Sequence, residues 1–258
     1  MKHRPSFQSE LPKRVRVKKG VDRKYLAFDM ETAKAQPATD CNWKSYRPLG
    51  ISCAATFLSG AHVPLLWYGG ANRKRPTKRM HRQEAQGLVN YLEKQVKCGY
   101  TIVTWNGLSF DFDVLAEESG MIEKCRTLAI NHVDMMFHAL CRLGHGISLD
   151  SAAKGMDLLG KNEDMTGILA PQLWTEGRHK EVLEYVAHDA EVTLELAEIC
   201  GAHGLLRWVT RSGRRRKLQL PNGWLPVRLA EKQPKNGTSW MWPHWSRTRF
   251  TAWLGRSG

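Results

Sequence analysis

A chain of 258 residues, 42% of them hydrophobic, has apolar side chain enough for one large packed domain, alone or with an appendage. It has no apolar run of about 18 residues, and its basic N-terminus (Met1 to Gly20) lacks the apolar segment of a secretory signal, so neither a membrane span nor export is expected. The net charge of +14 is concentrated at the ends: +7 over residues 1–24 and +11 over 205–258, against −4 between them, which invites a polyanion such as nucleic acid.

In chain order, residues 1–23 read as a flexible basic arm, dominated by Pro and charge, that serves equally well as a binding tail, a solubility tail or a nuclear-type address. A strand is expected over Lys24 to Glu31, and further strands over Leu49 to Leu58 and His62 to Tyr68, with Ser59-Gly60 as the hairpin signal between them. A basic loop from Gly69 to Lys78 leads to a helix over Arg79 to Lys97, where Leu88, Tyr91, Leu92 and Val96 recur at helical spacing. A β-branched strand follows over Tyr100 to Trp105. Helices are then expected over Ser109–Ser119, Asp134–Leu143, Ser148–Met156 and Arg178–His203, with Ser148 and Asp134 as helix N-caps. Strands first, then a strand alternating with helices, predict an α/β domain with a mixed sheet over 24–204. Residues 205–258 form a basic, Trp-rich extension that begins with a hairpin (Leu206 to Leu220).

Three short segments carry the chemistry. Asp29 and Glu31 lie two apart on the first strand, so both carboxylates leave one face near the strand's C-terminal end, where α/β sheets form their sites. Like charges set side by side in a partly buried spot repel unless a cation compensates, although a solvated strand end is the plainer origin of such a pair. In Asn106-Gly107-Leu108-Ser109-Phe110-Asp111 a strand turns sharply and delivers Asp111 to a helix start, as a metal ligand or as a favourable charge at the helix dipole. In Tyr185-Val186-Ala187-His188-Asp189 the phenol and the carboxylate share a helix face beside an apolar stripe, so Asp189 needs a partner there: a metal, or Tyr185 itself.

The conjunction D-x-E, N-x-x-x-F-D, Y-x-x-x-D resembles the DEDD superfamily of 3′-5′ exonucleases in its tyrosine variant, most similar to the proofreading domains of family B DNA polymerases and their stand-alone relatives. The resemblance spans roughly residues 24–203. It implies a ribonuclease H-like fold and two divalent cations, Mg²⁺ or Mn²⁺, held by Asp29, Glu31, Asp111 and Asp189. It also implies a water oriented by Tyr185 and release of nucleoside 5′-monophosphates from single-stranded DNA 3′ ends. Asn106 and Phe110 would then hold the terminal nucleotide. A catalytically silent nucleic-acid clamp and an exoribonuclease are the alternatives. His188 is expected to pack, because the histidine variant needs its base five residues before the Asp, where Glu184 stands.

Other candidates are set aside. Asp134 is read as a helix cap rather than a ligand. Gly155 to Asn162 nearly matches a phosphate loop, yet Asn162 replaces the required Ser or Thr and a helix precedes it. The six cysteines (41, 53, 98, 125, 141, 200) include no CxxC pair, and His132, His138, Cys141 and His145 fit no zinc spacing, so reduced thiols of a cytoplasmic protein are expected. Arg214, Arg215, Arg216 and Lys217 are expected to contact phosphates at the hairpin turn. Of the six tryptophans after residue 204, Trp208 and Trp224 are expected to pack, and Trp240, Trp242, Trp245 and Trp253 are left unassigned.

Overall fold

A computed structural model describes residues 23–35, 42–70, 75–158, 160, 167–234 and 246–255. The basic arm up to Asp22, Cys41, the phosphate-loop residues Leu159, Lys161 and Asn162, and Trp240, Trp242 and Trp245 lie outside the described residues. No helix among the described residues is long and apolar enough to cross a membrane.

The chain opens with the antiparallel strands β1 (Tyr25–Thr32), β2 (Ile51–Leu58) and β3 (Leu65–Tyr68). Ser59-Gly60 begins the turn that joins β2 to its antiparallel neighbour β3, as expected, with Gly60 at φ 81°, and the Ser59 N–H donates to the Tyr25 carbonyl at 2.8 Å beyond the Leu26–Leu58 pair. Helix α1 (Arg82–Lys97) then provides the crossover that a parallel neighbour requires, and β4 (Thr101–Thr104) pairs in parallel with β1. Next come α2 (Asp111–Ser119), α3 (Ile122–Asn131), a two-residue strand β5 (Val133–Asp134) parallel to β4, α4 (Met135–Leu143), α5 (Leu149–Gly155), α6 (Ala170–Thr175) and the long α7 (His179–His203). The sheet order is β3-β2-β1-β4-β5, a mixed α/β sheet flanked by helices, as expected. The expected strands at 49 and 62 begin two and three residues later, and the helix expected from Arg79 starts at Arg82, where the His81 N–H donates to Glu84 at 2.7 Å.

β1 sits in the middle and is buried along almost its whole length, because helices cover both faces. Its alternation sorts the core into two layers. Tyr25 and Ala27 pack with α5, α7 and Trp174, whereas Leu26, Phe28 and Met30 pack with α1, α2 and α3. Within α1 the buried positions are Ala85, Leu88, Val89 and Leu92. Val96, expected on that stripe, is 41% exposed one turn further on, at the helix's end.

The extension folds onto this body. A hairpin, β6 (Leu205–Val209) and β7 (Arg215–Gln219), buries Leu206, Trp208 and Leu218 in the first layer together with Trp224, so both tryptophans pack as expected. Beyond it α8 (Val227–Ala230) and α9 (Arg247–Thr251) place Val227, Ala230 and Phe250 in the second layer. The guanidinium of Arg247 fastens α9 by donating to the carbonyls of Cys141, Glu231, Gln233 and Pro234.

The hairpin docks on α5 through Gly155. A Cβ there would lie 2.2 Å from the Trp208 Cα and 2.4 Å from its N, closer than any side chain tolerates. Gly155→Ala is therefore expected to cost about 1–3 kcal/mol by overpacking, read as a lower denaturation midpoint with fluorescence of the buried Trp208 following the same transition.

Candidate active site

The C-terminal half of β1 carries Asp29 and Glu31 on the α7 side of the sheet, the side of Tyr25 and Ala27. Asp29 is half-buried and Glu31 is 7% exposed. A Cβ on Gly167 would lie 3.6 Å from a Glu31 carboxylate oxygen, so the chain entering α6 runs close beside it. Cys53, opposite Glu31 on β2, senses the local charge. Burial pushes its thiol well above the usual range, and the Glu31 and Asp29 carboxylates push it further.

Asp111 reaches the same place from a loop held on both sides. After β4 the backbone turns at Asn106 (φ 76°) and Gly107 presses onto Thr104, where a Cβ would come within 2.6 Å of the hydroxyl oxygen. The Asp134 carboxylate accepts from the N–H groups of Asn106 (3.1 Å), Leu108 (2.9 Å) and Phe137 (2.9 Å). It thus caps α4, as expected, and in addition holds the loop before α2. From the other side the Trp253 indole N–H donates to the Leu108 carbonyl at 2.6 Å. Ser109 donates to the Asn106 side chain at 2.6 Å, and the Phe110 ring meets Trp43 edge-on at 5.0 Å.

Asp111 then begins α2, and its Oδ1 accepts from the Met30 N–H at 3.1 Å. Met30 lies between Asp29 and Glu31, so this bond stitches the third acid to the strand that bears the first two. Burial raises the Asp111 pKa to about 7, with the charges of Asp134 and Asp189 adding to it against two backbone hydrogen bonds. Asp134 is raised to about 6, again by burial, and its backbone donors oppose the shift.

On α7, Tyr185 and Asp189 are 6% and 4% exposed and face the β1–β2 side. Asp189 is near enough to Asp111 for its charge to be felt there. His188 is half-buried with Nε2 3.2 Å from the Gly160 carbonyl, the packing role expected of it. His132 is buried between the Thr104 hydroxyl (2.9 Å) and the Ala129 carbonyl (2.6 Å), and burial lowers its pKa to about 4. Among the described residues no group of three or more His, Cys, Asp or Glu side chains is drawn in tightly enough to enclose a metal as it stands. Asp29, Glu31, Asp111 and Asp189, the ligands expected from the sequence, present only hard oxygen donors.

The basic hairpin differs from expectation in one respect. Arg214 alone is at the turn; Arg215, Arg216 and Lys217 lie along β7, because the ladder extends to the Val209–Arg215 pair. Arg215 is tied to Asp157 at 2.7 Å, and all four side chains are exposed. Two residues that shape the site had no functional reading in the sequence. The cap signal of Asp134 was legible but not its grip on Asn106 and Leu108, and Trp253 meets Leu108 across 145 positions.

The sequence matches the family described as the RNase_H superfamily (RNase_H_2) over residues 63–199, a stretch that includes Asp111, Tyr185 and Asp189. None of the curated proteins matches the chain. Among solved structures it is similar to the family B DNA polymerase from the hyperthermophilic archaeon Pyrobaculum calidifontis. The TM-score is 0.50 at 16% identity, over 81% of this chain and 27% of that one. The chain spans about a quarter of the polymerase's length, and the likeness is one of fold.

The loop's two anchors have unequal weight. Asp134→Ala strands three N–H groups at about 1–3 kcal/mol each, whereas Trp253→Phe removes one hydrogen bond worth about 1 kcal/mol. Hydrogen exchange should show faster opening of residues 106–111 in both variants, with a large loss of global stability only in Asp134→Ala.

Proposed function

The chain belongs to the RNase H superfamily, and from that premise we propose that it is a metal-dependent 3′-5′ exonuclease that removes nucleoside 5′-monophosphates from single-stranded DNA 3′ ends. The observation that carries this reading is the Met30–Asp111 hydrogen bond. It brings a carboxylate from eighty-one positions away to the strand that bears Asp29 and Glu31, within the field of Asp189.

The donor set fits two divalent cations, Mg²⁺ or Mn²⁺. All four groups are carboxylates, and Asp111 is held at a raised pKa by burial and by neighbouring acids, a penalty that a cation relieves. Asp29, Glu31, Asp111 and Asp189 would hold the ions. When bound, such a pair supplies an activated water and charge stabilisation at the leaving 3′-oxygen. The Tyr185 hydroxyl, one helical turn before Asp189, orients the attacking water by hydrogen bonding and leaves its deprotonation to other groups. Asn106 and Phe110 flank the terminal nucleotide, and Phe110 is held rigid there by its contact with Trp43. Arg214, Arg216 and Lys217 attract the phosphate backbone, while Arg215 does so only by exchanging Asp157 for a phosphate.

The direct test is release of mononucleotides from a 5′-blocked, 3′-labelled oligonucleotide with Mg²⁺ or Mn²⁺. Asp29→Ala and Asp111→Ala should abolish release with DNA binding retained, and Tyr185→Phe should slow it without eliminating it. A purified wild-type protein that binds DNA and releases nothing would instead be a silent clamp, and preference for an RNA strand would make it an exoribonuclease.

A second test needs no turnover. In the unfolded chain an Asp titrates at about 3.9, whereas folded Asp111 titrates at about 7. The fold therefore loses stability as pH rises between those values, because the unfolded chain releases a proton there that the fold still holds. A cation that takes the proton's place should accordingly raise the Tm more at pH 8 than at pH 5, and Asp111→Asn should remove that difference.

A further inference from the structure

Where β1 ends, the chain borders a cleft of about 550 Å³, within the range of small-ligand sites (~300–1,000 Å³). Its floor is apolar, with Pro48, Pro76 and Trp174 among the lining, and three cations stand on it: Lys34, Lys78 and Arg79. None of the described residues that line it is acidic. This is a cationic hollow in a central body whose net charge is −4, and the acids nearest its lining along the chain are Glu176, between Thr175 and Gly177, then Glu181 and the site's Glu31.

The walls are fixed. The buried Trp174 indole donates to the Thr77 carbonyl at 3.0 Å, which ties the Pro76–Arg79 segment to α6, and the His179 ring packs on Trp174 at 4.6 Å. The Thr77 N–H donates to Gly69 and the Met80 N–H to Ile51, so the backbone on either side of Lys78 and Arg79 is anchored to the sheet. Lys34 donates to the Tyr46 carbonyl at 2.8 Å, and all three cations are exposed. Only two positions of extended chain, about 7 Å, separate Glu31 from Ala33 at the cleft's edge, a step that one extended nucleotide covers.

We propose that this cleft is the backbone site for the nucleotides on the 5′ side of the scissile bond, with Lys34, Lys78 and Arg79 neutralising successive phosphates and the apolar floor receiving a sugar or base. The proposal rests on the exonuclease reading for what lies next to the cleft. The ligand chemistry, a single-stranded polynucleotide phosphodiester, rests on the cleft alone. An enzyme built this way grips a strand several nucleotides long and handles a dinucleotide poorly, because the shorter substrate leaves the three cations unused.

The test uses the full chain with Lys34→Gln, Lys78→Gln and Arg79→Gln combined, against a control with Lys94→Gln, Lys97→Gln and Lys124→Gln, three exposed cations that do not line the cleft. Binding of a fluorescent single-stranded 12-mer is followed across salt concentrations by anisotropy, without added metal. Each phosphate contact to a single strand contributes about 0.7 to the slope of log K against log salt, so the cleft variant should lose about 2 from that slope. The control should lose less than half as much. In the hydrolysis assay the ratio of kcat/KM for the 12-mer to that for a dinucleotide should fall at least tenfold in the cleft variant. An unchanged slope, or an equal loss in the control, overturns the proposal. If the wild type cleaves neither substrate, the exonuclease reading falls, and the cleft still stands or falls on the salt slope.

Discussion

Three backbone N–H groups, those of Asn106, Leu108 and Phe137, end on one buried carboxylate, and the geometry of the candidate site follows from that convergence. Asp134 lies at the end of β5, so its oxygens are positioned by the sheet, and they impose the sheet's frame on a loop that has no ladder of its own. The loop in turn delivers Asp111 to the Met30 N–H. Trp253 closes the arrangement from the opposite side, so a segment near the C-terminus helps shape a loop at the centre of the chain.

Asp111 and Asp134 are both buried, and burial raises both pKa values, yet their surroundings suit them to different work. Asp134 is occupied by backbone donors from its own helix cap and from the loop, which makes it a structural acid. Asp111 takes one long-range donor, from Met30, and sits in the field of Asp189 as well as that of Asp134. Concentrating acids in this way is unfavourable for the isolated protein and favourable once a cation arrives. That is the physical content of the proposed metal site.

Positive charge is arranged around these acids rather than among them. The hairpin displays Arg214, Arg216 and Lys217 on one flank, and the cleft past β1 displays Lys34, Lys78 and Arg79 on another. That division suits the proposed exonuclease, which would grip a strand along its length and react at a terminus.

Local pattern was enough for β1 with its two carboxylates on one face, for α7 with Tyr185 and Asp189 a turn apart, for the caps at Ser148 and Asp134, and for the packing of Trp208 and Trp224. Each of these depends on residues within a few positions of one another, where periodicity and side-chain chemistry act directly. The two-residue β5 and the short α6 were too brief to show a period, and the stripe of α3, with only Cys125, Leu128 and Ala129 buried, was too weak. The bond between Met30 and Asp111, the second task of Asp134, the reach of Trp253 to Leu108 and the cleft lined by residues just past β1, by Pro76–Arg79 and by α6 join positions tens to more than a hundred residues apart. No local rule encodes such contacts; they exist only because the sheet order and the two core layers bring those backbones together.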